Sequence, residues 1–299
     1  MNAAVTLLGR VLPATVHIRT QVPERHPSAR LLGTERMGTG VLIDPAGLVL
    51  TVNYVVLGAS EVRVTLLDQS EWAGEVVKYD FRSGLGLVRI TGDGLPALPL
   101  ESSAGLVLGE ETFSVASVGE GQARVGTGAV SYLGAFDANW EWVLDRAIMT
   151  TGMNPGLGGG PLLDRLGRVV GIVALNLNEI GRFSLAIPAE QYLDQQAEFA
   201  AGGPRGMGRR AWLGMFCYTV NGHVVVAGVL PSGPGEHAGL RPGDVIVAVD
   251  GRDVADRATL YRHLWTRRPG EPVALRIARA GETRLVTASA GDPVEFFAE

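Results

Sequence analysis

The chain has 299 residues, 46% of them apolar, and a formal net charge of −5. This length and composition give about two domains with a substantial core each. Mild acidity argues against a nucleic-acid surface, and a single cysteine, Cys217, excludes an internal disulfide. No apolar run approaches the length of a membrane span and no metal-ligand spacing occurs, so neither a membrane helix nor a metal or cofactor is expected. Met1 to Gln21 shows no basic start followed by an apolar core and a small-residue cleavage site. A cytoplasmic location is therefore the expectation, with a removed leader as the alternative.

Ala4 to Leu12 reads as a short helix and Ala14 to Thr20 as the first strand. Gly38 to Asp44, the turn Pro45-Ala46-Gly47, and Leu48 to Asn53 read as strand, turn, strand. Glu61 to Leu67 alternates apolar and polar residues, Glu71 to Lys78 continues the pattern, and Leu85 to Ile90 follows. A second set of strands is expected at Glu110 to Val118, Ala123 to Leu133, Trp142 to Thr150, Gly167 to Leu175 and Arg182 to Ile187. Short strands at regular spacing, with 41 glycines to supply turns, indicate barrels or a sandwich. Pro188 to Ala200 reads as a closing helix with proline at its start. Gly202 to Arg210 is a linker rich in glycine and arginine, and Asp256 to Arg267 reads as a helix with Asp256 as N-cap.

Ahead of the Gly167 strand stands Asn154-Pro155-Gly156-Leu157-Gly158-Gly159-Gly160-Pro161-Leu162-Leu163. This closely resembles the nucleophile loop of HtrA/Deg-type trypsin-like serine proteases, with glycine at the serine position. Thr51-Val52-Asn53-Tyr54-Val55-Val56 resembles the family's histidine segment, and Asp80 to Val88 its aspartate segment. On this resemblance, which runs from about residue 3 to residue 292, Tyr54 stands for the base, Gly84 for its orienting carboxylate and Gly158 for the nucleophile. It selects a mainly β fold, a trypsin-like double six-stranded β-barrel followed by a small α+β PDZ domain. The expected divisions are 1–201 for the barrels, 202–210 for the linker, 211–292 for the PDZ domain and 293–299 for a C-terminal tail.

The PDZ resemblance rests on Trp212-Leu213-Gly214-Met215, on Val229 to Pro234, and above all on the run Ala238 to Gly251. It implies that Trp212, Leu213, Gly214 and Met215 form the loop that takes a terminal carboxylate, with Leu260 and Leu264 lining a side-chain pocket. For Leu260 and Leu264 an ordinary core role is the competing reading. A phenol is a poor base at neutral pH, glycine contributes no side chain, and members of such a triad act as a unit. What survives at Gly156, Leu157 and Gly158 is backbone that can aim amides into an oxyanion hole.

The expectation from sequence is thus a catalytically inactive homologue, a pseudoprotease. It would act as a protein- or peptide-binding scaffold or as a subunit of a larger complex. The alternative is an active serine endopeptidase with an unrecognised catalytic arrangement. The partner expected is a protein or a peptide C-terminus, and no nucleic acid. The family's trimers use aromatic residues near the N-terminus, and their absence from Met1 to Arg36 points away from that trimer.

Overall fold

The computed structural model describes residues 3–178, 181–201 and 206–298. Its contacts divide the chain into two compact units, Met1–Ala135 with Asp145–Met207, and Phe136–Leu144 with Gly208–Glu299. The second division departs from a simple cut near residue 201, because a short segment from the middle of the chain belongs with the C-terminal unit.

Among the described residues, the first unit begins with the helix Ala3–Ala14 and holds twelve barrel strands. The first six are β1 (Thr15–Gln21), β2 (Glu35–Asp44), β3 (Leu48–Val52), β4 (Glu61–Thr65), β5 (Glu71–Asp80) and β6 (Leu85–Ile90). They follow the order β5-β4-β1-β2-β3-β6, and the pairing of β5 with β6 closes the ring. The reason is legible in β4, where Val62 and Val64 turn inward while Glu61 and Arg63 face water. The next six are β7 (Glu111–Gly119), β8 (Gln122–Asp137), β9 (Val143–Thr150), β10 (Pro161–Asp164), β11 (Val169–Asn176) and β12 (Ser184–Pro188), forming a second closed barrel. Leu106, Val130, Ile148, Leu162, Val170, Val173 and Ala186 pack into its core. A two-residue strand β13 (Gly206–Met207) adds in parallel to β5.

Two expectations are corrected here. Pro161–Asp164 is a strand, paired with both β7 and β11. Pro188 ends β12 rather than starting a long helix; two short helices, Glu190–Leu193 and Gln196–Ala200, follow. Of the expected linker, residues 202–205 lie outside the described residues.

The second unit is a sheet of β14 (Met215–Val220), β15 (His223–Val229), β16 (Val245–Val249), β18 (Pro272–Arg279) and β19 (Glu282–Ser289), in that order, with β17 (Arg252–Asp253) paired to β16. The helix Arg257–Leu264 covers it, with the Asp256 carboxylate accepting from the Thr259 amide at 2.7 Å. Within the expected C-terminal tail lies the helix Pro293–Phe296, capped by Asp292, and Phe297 beyond it is buried. Phe296 and Phe297 both pack on Trp212.

Candidate functional site

Three positions singled out by the sequence come together in the first unit. Tyr54 sits in the four-residue helix Asn53–Val56 that leaves β3. Gly84 lies in the turn between β5 and β6 with φ +82°, a left-handed conformation that disfavours any side chain. Its carbonyl accepts from the Asn53 amide at 2.7 Å, which ties this turn to the residue preceding Tyr54. Gly158 precedes β10, and its carbonyl accepts from the Thr39 amide at 2.8 Å.

The Tyr54 hydroxyl donates to the Ala174 carbonyl at 2.7 Å. A Cβ built on Gly158 would overlap that hydroxyl and lie 3.0 Å from the Ala174 oxygen. The phenol therefore fills the space of a side chain at 158 and ties itself to β11. Burial pushes its pKa up to about 12, so at neutral pH it is a neutral donor whose one proton is already engaged. In the loop of Gly156, Leu157 and Gly158, the Gly156 amide donates to Asn154 Oδ1 at 3.3 Å, and Gly159 donates to the Val173 carbonyl at 2.7 Å. Tyr54, Gly84 and Gly158 supply no nucleophilic hydroxyl paired with an imidazole, which a Ser-His-Asp mechanism requires.

A serine–histidine contact not foreseen from sequence lies elsewhere in this unit. His26 Nδ1 stands 2.7 Å from Ser28 Oγ, and Arg36 Nη2 donates to the same oxygen at 2.6 Å. The Ser28 side chain is fully buried, so a substrate reaches it only if the surrounding segment moves. Arg36 also donates to the carbonyls of Gly33, Tyr54 and Leu57, and burial lowers its pKa to about 10. The cluster thus anchors the segment that carries Tyr54. Ser83, beside Gly84, is buried, and its hydroxyl accepts from the Leu85 amide at 3.2 Å.

In the second unit, Leu213, Gly214 and Met215 form a turn whose amides point at one carboxylate. Glu141, in the segment joining β8 to β9, accepts from the Leu213 amide at 3.1 Å and from the Met215 amide at 2.8 Å. Glu141 is buried, has φ +57° and its carboxyl is pushed up to about 7, because burial outweighs the amides and Arg210. Trp212 is buried beside this turn and bridges to Gly291. Leu260 and Leu264 are fully buried within the unit's core, together with Leu213, Met215 and Tyr261.

The sequence reading missed Glu141, Asp137, Arg257 and Tyr261. The Tyr261 hydroxyl donates to the Ala138 carbonyl at 2.9 Å and accepts from the Glu141 amide at 3.1 Å. Arg257 pairs with the Asp137 carboxylate at 2.8 Å. A signal was present: Trp140-Glu141-Trp142 is an unusually aromatic hairpin tip. Among the described residues no group of histidine, cysteine, aspartate and glutamate could hold a metal ion, and no helix is long and apolar enough to cross a membrane.

Comparison with known proteins follows this division. Residues 38–172 match a trypsin-like peptidase domain and residues 211–289 a PDZ domain. The chain is 32% identical over 270 residues to a probable periplasmic serine endoprotease DegP-like of Hahella chejuensis, covering 85% of this chain and 56% of the relative. It is also 32% identical over 287 residues to the protein of the same name in Ectopseudomonas mendocina, covering 91% of this chain and 59% of the relative. The chain thus spans less than two thirds of the length of these relatives. Among solved structures, the HtrA-type protease AlgW with decapeptide aligns with TM-score 0.58 and 25% identity over 97% of this chain and 99% of that one. AlgW with tripeptide aligns with TM-score 0.59 and 26% identity, over 97% of each chain.

The mainly β fold and the order of its two domain types agree with the sequence-based expectation. Two other expectations are overturned by the relatives. The reading of the chain as no enzyme is corrected, since the relatives are named serine endoproteases. The cytoplasmic expectation is corrected in the same way, since they are named periplasmic. Both expectations rested on residues not found where the resemblance led one to look: at the positions of Tyr54, Gly84 and Gly158, and in Met1 to Gln21.

Proposed function

Since the chain belongs to the HtrA-type trypsin-like peptidases with a C-terminal PDZ domain, we propose that it grips polypeptide by a free C-terminal end and serves endoproteolysis in the periplasm. The observation that carries peptide capture is the convergence of the Leu213 and Met215 amides on a single carboxylate. Two amides aimed at one point are what a PDZ loop offers a peptide terminus. In this reading Trp212, Leu213, Gly214 and Met215 hold the carboxylate, and Leu260 and Leu264 back the pocket for the last side chain.

The endopeptidase part rests on the names of the relatives and on the trypsin-like match. Tyr54, Gly84 and Gly158 are not the hydrolytic groups of this proposal; the loop of Gly156, Leu157 and Gly158 contributes backbone only. Hydrolysis would need a hydroxyl and a base from elsewhere, and the buried His26–Ser28 contact is the pair to test. Casein digestion by the full chain, beside Ser28→Ala and Ser83→Ala, decides the matter. Turnover lost on one of these substitutions identifies the nucleophile. Turnover no greater than that of buffer withdraws the endopeptidase part. Peptide capture is judged separately, by anisotropy of labelled peptides with free and amidated ends.

A further inference from the structure

In the second unit β14 is the edge of its sheet, beside the helix Arg257–Leu264. A PDZ domain takes an extended peptide at this edge, with backbone bonds along the strand and amides at the loop for the carboxylate. Residues 137–141 meet each of these requirements. The Cys217 amide of β14 donates to the Asn139 carbonyl at 2.8 Å, a bond of the sort an added strand makes. On the helix side, the Tyr261 hydroxyl binds both the Ala138 carbonyl and the Glu141 amide. At one end Arg257 holds the Asp137 carboxylate, donates to its carbonyl at 3.0 Å, and donates to the Cys217 carbonyl at 3.3 Å. At the other end the Glu141 side chain delivers its carboxylate to the Leu213 and Met215 amides.

Glu141 takes a left-handed backbone conformation, φ +57°, that a glutamate seldom adopts. That conformation is maintained by the Tyr261 bond to its amide and by an Arg210 bond to its carbonyl at 2.7 Å. Ala138 and Trp142 are buried, and the Ala138 amide donates to the Trp142 carbonyl at 2.8 Å, which closes the tip. An ordinary hairpin tip has no need of a buried carboxylate; this one lies where a peptide terminus belongs.

We propose that residues 137–141 are the resident ligand of the PDZ groove, with the Glu141 side chain standing in for a peptide's terminal carboxylate, so that an incoming chain end binds by displacing them. The inference rests on the peptide-capture reading above. The ligand class is a free C-terminal carboxylate on an extended peptide, because the amides of Leu213 and Met215 can serve only one such group at a time. Affinity is set by competition: a groove populated by its own segment binds an external peptide weaker by the fraction of time it stands open.

Hydrogen exchange on the full chain reads the segment directly. In Glu141→Ala, and independently in Asp137→Ala, the amides of Leu213, Met215 and Cys217 are expected to exchange at least tenfold faster than in the wild type. The rest of the β15–β19 sheet should keep its protection, which also shows that the unit remains folded. The same variants are titrated with a pool of fluorescein-labelled random decapeptides carrying free C-termini, and with the same pool amidated. Glu141→Ala should bind the free-ended pool at least tenfold tighter than the wild type and gain nothing for the amidated pool. Unchanged exchange at the three amides in both variants overturns the proposal, as does an equal gain for both pools. Faster exchange with no binding of either pool retains the self-occupied groove and refutes displacement by chain ends, and with it the peptide-capture reading.

Discussion

The Tyr54 hydroxyl occupies the space that a Cβ on Gly158 would need, and its bond to the Ala174 carbonyl keeps it there. Residues 54 and 158 are therefore one steric unit despite their separation in the chain. Changing either alone disturbs the contact between the helix after β3 and the loop before β10.

Gly158→Ser should accordingly destabilise the first unit rather than act as a neutral restoration. Overpacking a closed contact costs about 1–3 kcal/mol, a fall of several degrees in Tm for a unit of this size. The cost should shrink in a Tyr54→Phe background, where the overlapping oxygen is gone. Thermal unfolding of the two single variants and the double variant gives the coupling; strictly additive shifts would refute the steric link.

Tyr54→Phe alone leaves the Ala174 carbonyl without the donor at 2.7 Å. An inward-facing carbonyl that loses its partner costs about 1–3 kcal/mol. Urea unfolding should show a lower midpoint with an unchanged slope. A midpoint equal to that of the wild type would mean that water replaces the phenol without loss.

Asp256→Ala removes the carboxylate that accepts from the Thr259 amide at 2.7 Å at the start of the Arg257–Leu264 helix. Loss of such a cap costs about 1 kcal/mol. Asp256→Asn should recover most of the loss, since an amide oxygen can cap as well. Failure of asparagine to recover it would assign the effect to charge rather than to the hydrogen bond.

The strands were readable because their burial alternates, as at Val62 and Val64, or because they are mostly apolar and buried, as at Leu85–Ile90 with Arg89 its one charged residue. Pro161–Asp164 escaped because its four residues follow a glycine run, and only pairing with β7 and β11 makes them a strand. The break after Pro188 escaped because helix propensity there is strong while tertiary packing ends the strand later. Of the candidate sites, Tyr54, Gly84 and Gly158 could be placed by local motif. Glu141 could not, since a glutamate at a hairpin tip looks like a solvated charge. Its partners Leu213, Met215 and Tyr261 lie far along the chain, and no local periodicity reports so distant a contact.

The Glu141 carboxyl gives the seating of its segment a pH dependence of defined sign. Burial raises it from the ordinary 4.5 to about 7, against the Met215, Leu213 and Gly214 amides and Arg210, and the Tyr261 hydroxyl and the Cys217 thiol lie within reach of its charge. An acid whose pKa rises on docking binds a proton more tightly when docked. Docking is therefore most favourable below about pH 4.5 and weakens as pH rises through about 7, by up to about 3 kcal/mol. Protection of the Leu213 and Met215 amides, expressed relative to the intrinsic exchange rate at each pH, should fall between pH 5 and pH 8. In Glu141→Gln, which cannot ionise, the same ratio should stay flat. A fall of equal size in the glutamine variant would move the pH dependence to another group, and a rise in the wild type would contradict the sign derived from burial.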